Sequence, residues 1–147
     1  MLFRSSLGLS DKVKFLGFQR IDEILPKVGA LILSSISEAL PLVVLEGYAA
    51  GVPSISTDVG SCRQLIYGFG PDDEALGAAG RVVGIADPAA LADAAVEIIG
   101  KPEVWRAARA AGIARVERYY ADSMMFGAYR QVYDQALGVA PAAGGHA

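Results

Sequence analysis

Apolar and polar positions along the chain change period from segment to segment, and each change marks an element. Residues 30–33, Ala30-Leu31-Ile32-Leu33, are apolar without a break, as in a strand covered on both faces of a parallel sheet. After the polar turn Ser34-Ser35-Ile36-Ser37-Glu38, a helix is expected over residues 41–50, with Pro41 in the first turn where a missing N–H costs little. Gly51-Val52-Pro53 ends it, and Ser54-Ile55-Ser56-Thr57 is the next strand. A strand, a helix and a strand joined this closely imply a right-handed crossover between parallel neighbours.

Upstream, residues 1–9 read as the end of a helix with Gly8 as its stop. Residues 12–18, Lys12-Val13-Lys14-Phe15-Leu16-Gly17-Phe18, alternate and then turn apolar, which predicts a further strand, and residues 21–25 make a short helix closed by Pro26. Downstream, a brief helix is expected over residues 62–66, a mobile acidic loop over 68–80 around Pro71-Asp72-Asp73-Glu74, and a strand over 81–84. Asp87-Pro88 opens a helix over residues 89–99 that buries Leu91, Ala95, Ile98 and Ile99. The helix over 102–119 turns Val104, Ala108, Ala111 and Val116 inward and Arg106, Arg109, Arg115, Glu117 and Arg118 mostly outward. Ser123 caps a last helix to residue 137, which presents Phe126, Tyr129, Tyr133 and Leu137 on one face.

The fold class is therefore α/β: a partial Rossmann-like parallel sheet of four short strands with flanking helices, whose first edge looks incomplete. One domain over residues 1–137 is followed by a tail, 138–147, with nothing to hold it down and expected to be disordered. A length of 147 residues suits one domain, and 53% hydrophobic with 20% charged residues argues for a packed core.

Charge and rare residues narrow the chemistry. A net charge of -3 gives no bulk attraction to nucleic acid, so no nucleic-acid partner is expected. Cys62 is the only cysteine, which rules out an internal disulfide and suits a reducing compartment. His146, the only histidine, lies in the tail, so neither a histidine-rich metal centre nor a histidine-dependent triad is available, and no metal site is expected. No run reaches the roughly 18 apolar residues of a membrane span, and the opening residues do not make a signal peptide, so a cytoplasmic location is expected.

Ligands of open α/β sheets sit beyond the carboxyl ends of the strands, here the loops 17–20, 34–41 and 58–63. The helix near Pro41 turns unpaired N–H groups and its positive dipole end towards that crevice, which is either an anion site or simply a terminus capped by Ser37 or Glu38. Glu46 follows Val43-Val44-Leu45 and lies on no evidently charged face. Such a carboxylate accepts two vicinal hydroxyls of a ribose or another sugar, or else pairs with Arg63 or Arg20. Gly60-Ser61, and Gly17 after the earlier strand, suit close approach of a sugar or phosphate, or mere turn geometry. Cys62, without a histidine to activate it, reads as structural, and Tyr119, Tyr120, Tyr129 and Tyr133 read as helix packing.

Glu38 and Glu46, with seven residues between them, together with Pro41, Leu45, Ala50-Gly51, Pro53, Thr57 and Gly60, resemble the motif of retaining two-domain nucleotide-sugar glycosyltransferases of family 4. Within that group, Ser35 to Val43 and Asp58-Val59-Gly60-Ser61-Cys62-Arg63 are most similar to the Pel exopolysaccharide subfamily, and the resemblance covers about residues 7 to 137. It implies the C-terminal, donor-binding domain of a GT-B fold, with a nucleoside diphosphate sugar, typically a UDP-sugar, as substrate and no cofactor. Glu46 would hold the ribose hydroxyls, Glu38 would meet the donor sugar and act in catalysis, and the amides of Leu40, Pro41, Leu42 and Val43 would be the region receiving the diphosphate. Gly17, Phe18, Gly60 and Ser61 match donor-side loops. Two departures stand out: Gln64 where the family commonly has glutamate, and the lack of the N-terminal acceptor domain together with the first strands of this one. The expected partners are therefore a nucleotide sugar, a polysaccharide acceptor held by that other domain, and a partner domain or a second copy meeting the aromatic face of the last helix. A donor-side portion inactive alone, a binding module without turnover and a non-functional truncated product remain the three alternatives.

Overall fold

The computed structural model describes residues 7–138. Of the helix end expected over residues 1–9, residues 1–6 lie outside the described residues, as does the expected disorder beyond Gly138, while residues 7 and 8 form a turn with Gly8 at φ 66°. Three strands, β1 (Leu31–Leu33), β2 (Ser54–Thr57) and β3 (Gly80–Val83), pair in parallel and in chain order. Leu31 faces Ser54 and Leu33 faces Ser56 across the first pair, while Ser54 faces Gly80 and Thr57 faces Val83 across the second. The helices are α1 (Ile21–Ile24), continued by a 3-10 turn over Leu25–Lys27, then α2 (Leu42–Ala49), α3 (Cys62–Tyr67), α4 (Pro71–Glu74), α5 (Pro88–Gly100), α6 (Pro102–Tyr119) and α7 (Asp122–Leu137). This is the expected α/β arrangement, a parallel sheet flanked by helices.

Every residue of the central strand β2 is buried, yet only Ile55 is aliphatic. Strand periodicity explains the choice: Ile55 joins Ala94 and Ile98 of α5 and Ala108 of α6, while Ser54 and Ser56 point to the opposite face. On that face small residues allow close approach, with the position a Cβ would take on Gly47 of α2 lying 3.9 Å from Ser54 Oγ. The second core cluster, Val44, Tyr48, Leu65, Ala79 and Ala111, joins α2, α3 and α6. Gly112 lets α6 seat directly on the ring of Tyr48, where a Cβ would stand 2.8 Å from Cδ1. Full burial of Ile55, Leu65, Ile66 and Ile98 stabilises the sheet and its helices by about 1.5–3 kcal/mol per side chain.

The strand expected over residues 12–18 does not form, so the sheet has three strands among the described residues rather than four. An alternating pattern becomes a strand only where a ladder partner is offered, and β1 pairs with β2 alone. Instead the amides of Lys12 and Val13 turn back onto the Leu9 carbonyl, and Gly17 takes a positive φ of 66°.

Arg115, expected on the outer face of α6, is completely buried. Its Nε donates to Asp73 Oδ1 at 2.6 Å, and its other nitrogens donate to the carbonyls of Asp73, Gly77 and Ile66, each at 2.9 Å. These bonds also correct the expectation of a mobile loop over residues 68–80, which contains α4 and is tied to α6 through a buried carboxylate. Along α5 the inward position is Ala94 with Ile98, whereas Ile99 is exposed. Ser123 lies inside α7 and not at its cap, which Ala121 provides in extended conformation. Tyr129 and Tyr133 of α7 are exposed, so they do not serve as helix packing, whereas Tyr119 and Tyr120 are half-buried.

Candidate functional site

The turn between β1 and α2 is stitched to the carboxyl end of β2. Thr57 Oγ1 donates to the Ser35 carbonyl at 2.5 Å, and Ser61 donates twice to the Ala39 carbonyl, from Oγ at 2.8 Å and from its amide at 3.0 Å. Gly60, at φ 51°, passes so close beneath the Glu38 and Ala39 carbonyls that any β-carbon there would overlap them. The loop after β2 thus carries the loop after β1.

Glu38 lies on this supported turn, half-buried, and its Oε1 accepts a hydrogen bond from Ser35 Oγ at 2.7 Å. The choice left open for Glu38 and Ser37 is resolved against capping, because Pro41 is the N-cap of α2 and no side chain bonds that terminus. Val44 donates to the Pro41 carbonyl, which leaves the amides of Leu42 and Val43 as the donors at the helix start. Leu40 and Leu42 are exposed beside them. Pro41 itself is buried and brings no N–H, so it sets the entry of the helix and leaves donation to its neighbours.

Glu46, one turn further along α2, faces outward and is exposed. Neither proposed pairing forms: Arg63 binds Asp58, and Arg20 binds Asp22 and Glu23. The hydrogen bond from Arg63 to Asp58 raises the arginine further above its ordinary range, so this cation is engaged within its own loop. Glu46 lines a groove of about 820 Å³ with Leu42 and Leu45 of α2, Val116 and Tyr120 of α6 and Met124 of α7. Leu40 and Leu42, at the start of α2, line the same groove as Glu46, whereas Glu38 lies on the turn before the helix and is not part of the groove wall.

Gly17 and Phe18 lie in the segment before α1. Open space surrounds Gly17, and Phe18 is 97% exposed. Gly60 and Ser61 are close to the turn, but the polar atoms of Ser61 are engaged by Ala39. Cys62 is buried behind them at the start of α3. Two residues that the sequence reading placed in the motif without a role are Ser35, which holds the Glu38 carboxylate, and Thr57, which holds Ser35. Their signal was a hydroxyl residue just past the end of β1 and another at the last position of β2, both at the carboxyl end of the sheet. Among the described residues no cluster of three metal-ligating side chains occurs, and no helix is long and apolar enough to cross a membrane.

The chain has similar curated proteins and a similar solved structure. It is 32% identical over 102 residues to N-acetyl-alpha-D-glucosaminyl L-malate synthase of Bacillus anthracis, a stretch covering 69% of this chain and 25% of that protein. It is 28% identical over 131 residues to the lipopolysaccharide core biosynthesis mannosyltransferase LpsB of Rhizobium meliloti, covering 88% of this chain and 36% of that one. The chain thus spans about a quarter to a third of the length of these curated relatives. In fold it matches sucrose-phosphate synthase from Thermosynechococcus elongatus with a TM-score of 0.80 at 24% identity, over 93% of this chain and 33% of that one. The family model described as glycosyl transferases group 1 matches residues 2–101, a stretch that takes in Glu38, the start of α2, Glu46 and the Gly60 loop, and the chain belongs to that family.

Proposed function

We propose that the chain is the donor-binding portion of a retaining glycosyltransferase of family 4, nearest the Pel subfamily, which moves a hexosyl unit from a nucleoside diphosphate sugar to a growing exopolysaccharide. The observation that carries this reading is that Glu38 precedes and Glu46 follows the open start of α2, both free of any cationic partner among the described residues. A diphosphate suits the amides and dipole of the helix start, while ionised carboxylates on either side suit the hydroxyls at its two ends. Glu46 would take the ribose, Glu38 the donor sugar, and Leu40, Pro41, Leu42 and Val43 would frame the diphosphate. Gly17 and Phe18 would approach the nucleotide from their own loop, and Gly60 and Ser61 would support the sugar side. Transfer needs no resident cofactor in this scheme, because the diphosphate leaves as the acceptor attacks from the same face and fixed donors stabilise the developing charge. A cytoplasmic setting, where nucleotide sugars are available, fits the same reading.

The acceptor would be held by a separate domain, and turnover by this chain on its own would then be slow, because that domain would supply the second wall of the site. Calorimetric titration with UDP, UDP-glucose, GDP and GDP-mannose tests the donor site. One diphosphate series should bind the intact chain, and Glu46→Ala should weaken it by about tenfold or more, the value of a charge-assisted hydrogen-bond pair. Binding unaffected by Glu46→Ala, or none in either series, would refute the assignment.

A further inference from the structure

The proposed donor site rests on Glu38, and the structure shows what fixes that side chain. Ser35 Oγ donates to Glu38 Oε1 at 2.7 Å across a four-residue turn. The Ser35 backbone is in turn fixed from β2, since Thr57 Oγ1 donates to its carbonyl at 2.5 Å. Thr57 is only 5% exposed, and a hydroxyl has one proton, so the shorter of its two contacts, 2.5 Å against 3.5 Å to Leu33, takes it. On the far side of Glu38, the two bonds from Ser61 to the Ala39 carbonyl close the clamp.

The turn would be poorly determined without these bonds. Ile36 is 80% exposed, and Ser37, Ala39 and Leu40 are exposed as well, so almost no packing restrains it. We propose that Ser35 and Thr57 are positioning residues for the donor sugar: Thr57 fixes the Ser35 backbone, and Ser35 holds one carboxylate oxygen of Glu38 so that the remaining lone pairs face the sugar. This rests on the donor-site assignment above and refines it. A carboxylate already fixed in direction loses little freedom when a hydroxyl binds, which raises affinity for the sugar without a new contact. Glu46 stands on a helix and accepts from no side chain among the described residues, so the nucleotide side of the site does not depend on this clamp.

That separation supplies the test. Affinities of the intact chain are measured for UDP-glucose against UDP and for GDP-mannose against GDP, in Ser35→Ala, Ser35→Thr, Thr57→Val, Thr57→Ser and Glu38→Ala, with thermal melting as a check on folding. In the series that binds, Ser35→Ala and Thr57→Val should weaken the nucleotide sugar by about tenfold and change the free diphosphate by less than about twofold. Ser35→Thr and Thr57→Ser, which keep the hydroxyl, should recover most of the sugar affinity, and Ser35→Ala should add nothing in the Glu38→Ala background. Equal losses for sugar nucleotide and free diphosphate would reduce the clamp to a structural role and overturn the inference. A sugar-specific loss in Glu38→Ala without one in Ser35→Ala would overturn it while sparing the donor-site assignment. Absence of binding by the unmodified chain in both series would overturn the assignment and this inference together. Ser35, which is half-buried in an exposed turn, decides the matter alone if Thr57→Val does not melt cooperatively.

Discussion

Arg115 and Asp73 form a fully enclosed ion pair, Nε to Oδ1 at 2.6 Å, with side chains 0% and 4% exposed. It joins the last third of α6 to the segment between α3 and β3, and the guanidinium also donates to the carbonyls of residues 66, 73 and 77, the first two of which accept backbone amides as well. A planar group with five donors suits this convergence, and a lysine offers only three from one point.

Arg115→Met should therefore destabilise the chain by about 3–5 kcal/mol, because it leaves a buried carboxylate without its partner. Urea denaturation at neutral pH gives the value. Arg115→Met with Asp73→Asn should recover part of the loss, and a loss below about 1 kcal/mol in the single variant would contradict the enclosed pairing.

A second pair, Arg81 with Glu97, gives a pH signature. Two parallel bonds of 2.9 Å link them between β3 and α5. The hydrogen bond from Arg81, helped by its charge, holds the Glu97 carboxyl below the ordinary value of 4.5. A lowered folded-state value means that the stabilisation is complete above the ordinary value and is lost as pH falls through the lowered one. Urea midpoints of the unmodified chain and Glu97→Gln should differ at pH 7 and converge in acid below that range. A gap that stays constant to pH 3 would show that the carboxylate charge is not involved.

Local patterns were legible wherever one residue type decided the outcome. The strand Ser54–Thr57 and the helix Pro102–Tyr119 have the predicted bounds, set by proline and glycine punctuation on either side. Residues 12–18 misled because strand formation is not local: the alternation was present, but the partner strand was not. Arg115 misled for a related reason. Nothing in its helical position reveals that Asp73, 42 residues earlier, waits opposite it. At the site, the pair Glu38 and Glu46 stood out as charges in an apolar setting. Ser35 and Thr57 did not, since a hydroxyl residue near a strand end has many uses and only the fold selects one.

Gly60 should tolerate no side chain. Its φ of 51° is unfavourable for other residues, and a β-carbon would overlap the Glu38 and Ala39 carbonyls. Gly60→Ala is expected to cost about 1–3 kcal/mol in urea denaturation through backbone strain. It should also displace the turn that carries Glu38, so the resonances of residues 35–40 should move in amide NMR spectra while those of α5 stay in place. Unchanged turn resonances would show that the two loops are not coupled.

The last helix should contribute little to the stability of the domain. None of the residues of α7 is buried, and Phe126, Tyr129, Val132, Tyr133 and Leu137 are each more than half exposed. The apolar area it removes from water is therefore small, and at about 25 cal/mol per Å² it cannot offset a large loss elsewhere. Ending the chain after Ala121 should leave the urea midpoint nearly unchanged, because α6 and its bonds to Asp73 remain. The same truncation removes Met124, Met125 and Ala128 from the wall of the groove beside Glu46, so that wall opens while the fold persists. A large drop in the midpoint would mean that α7 packs on the domain far more extensively than its exposed residues indicate, whereas an unchanged midpoint makes the truncated chain a clean background for separating the role of α7 in ligand binding from its role in folding.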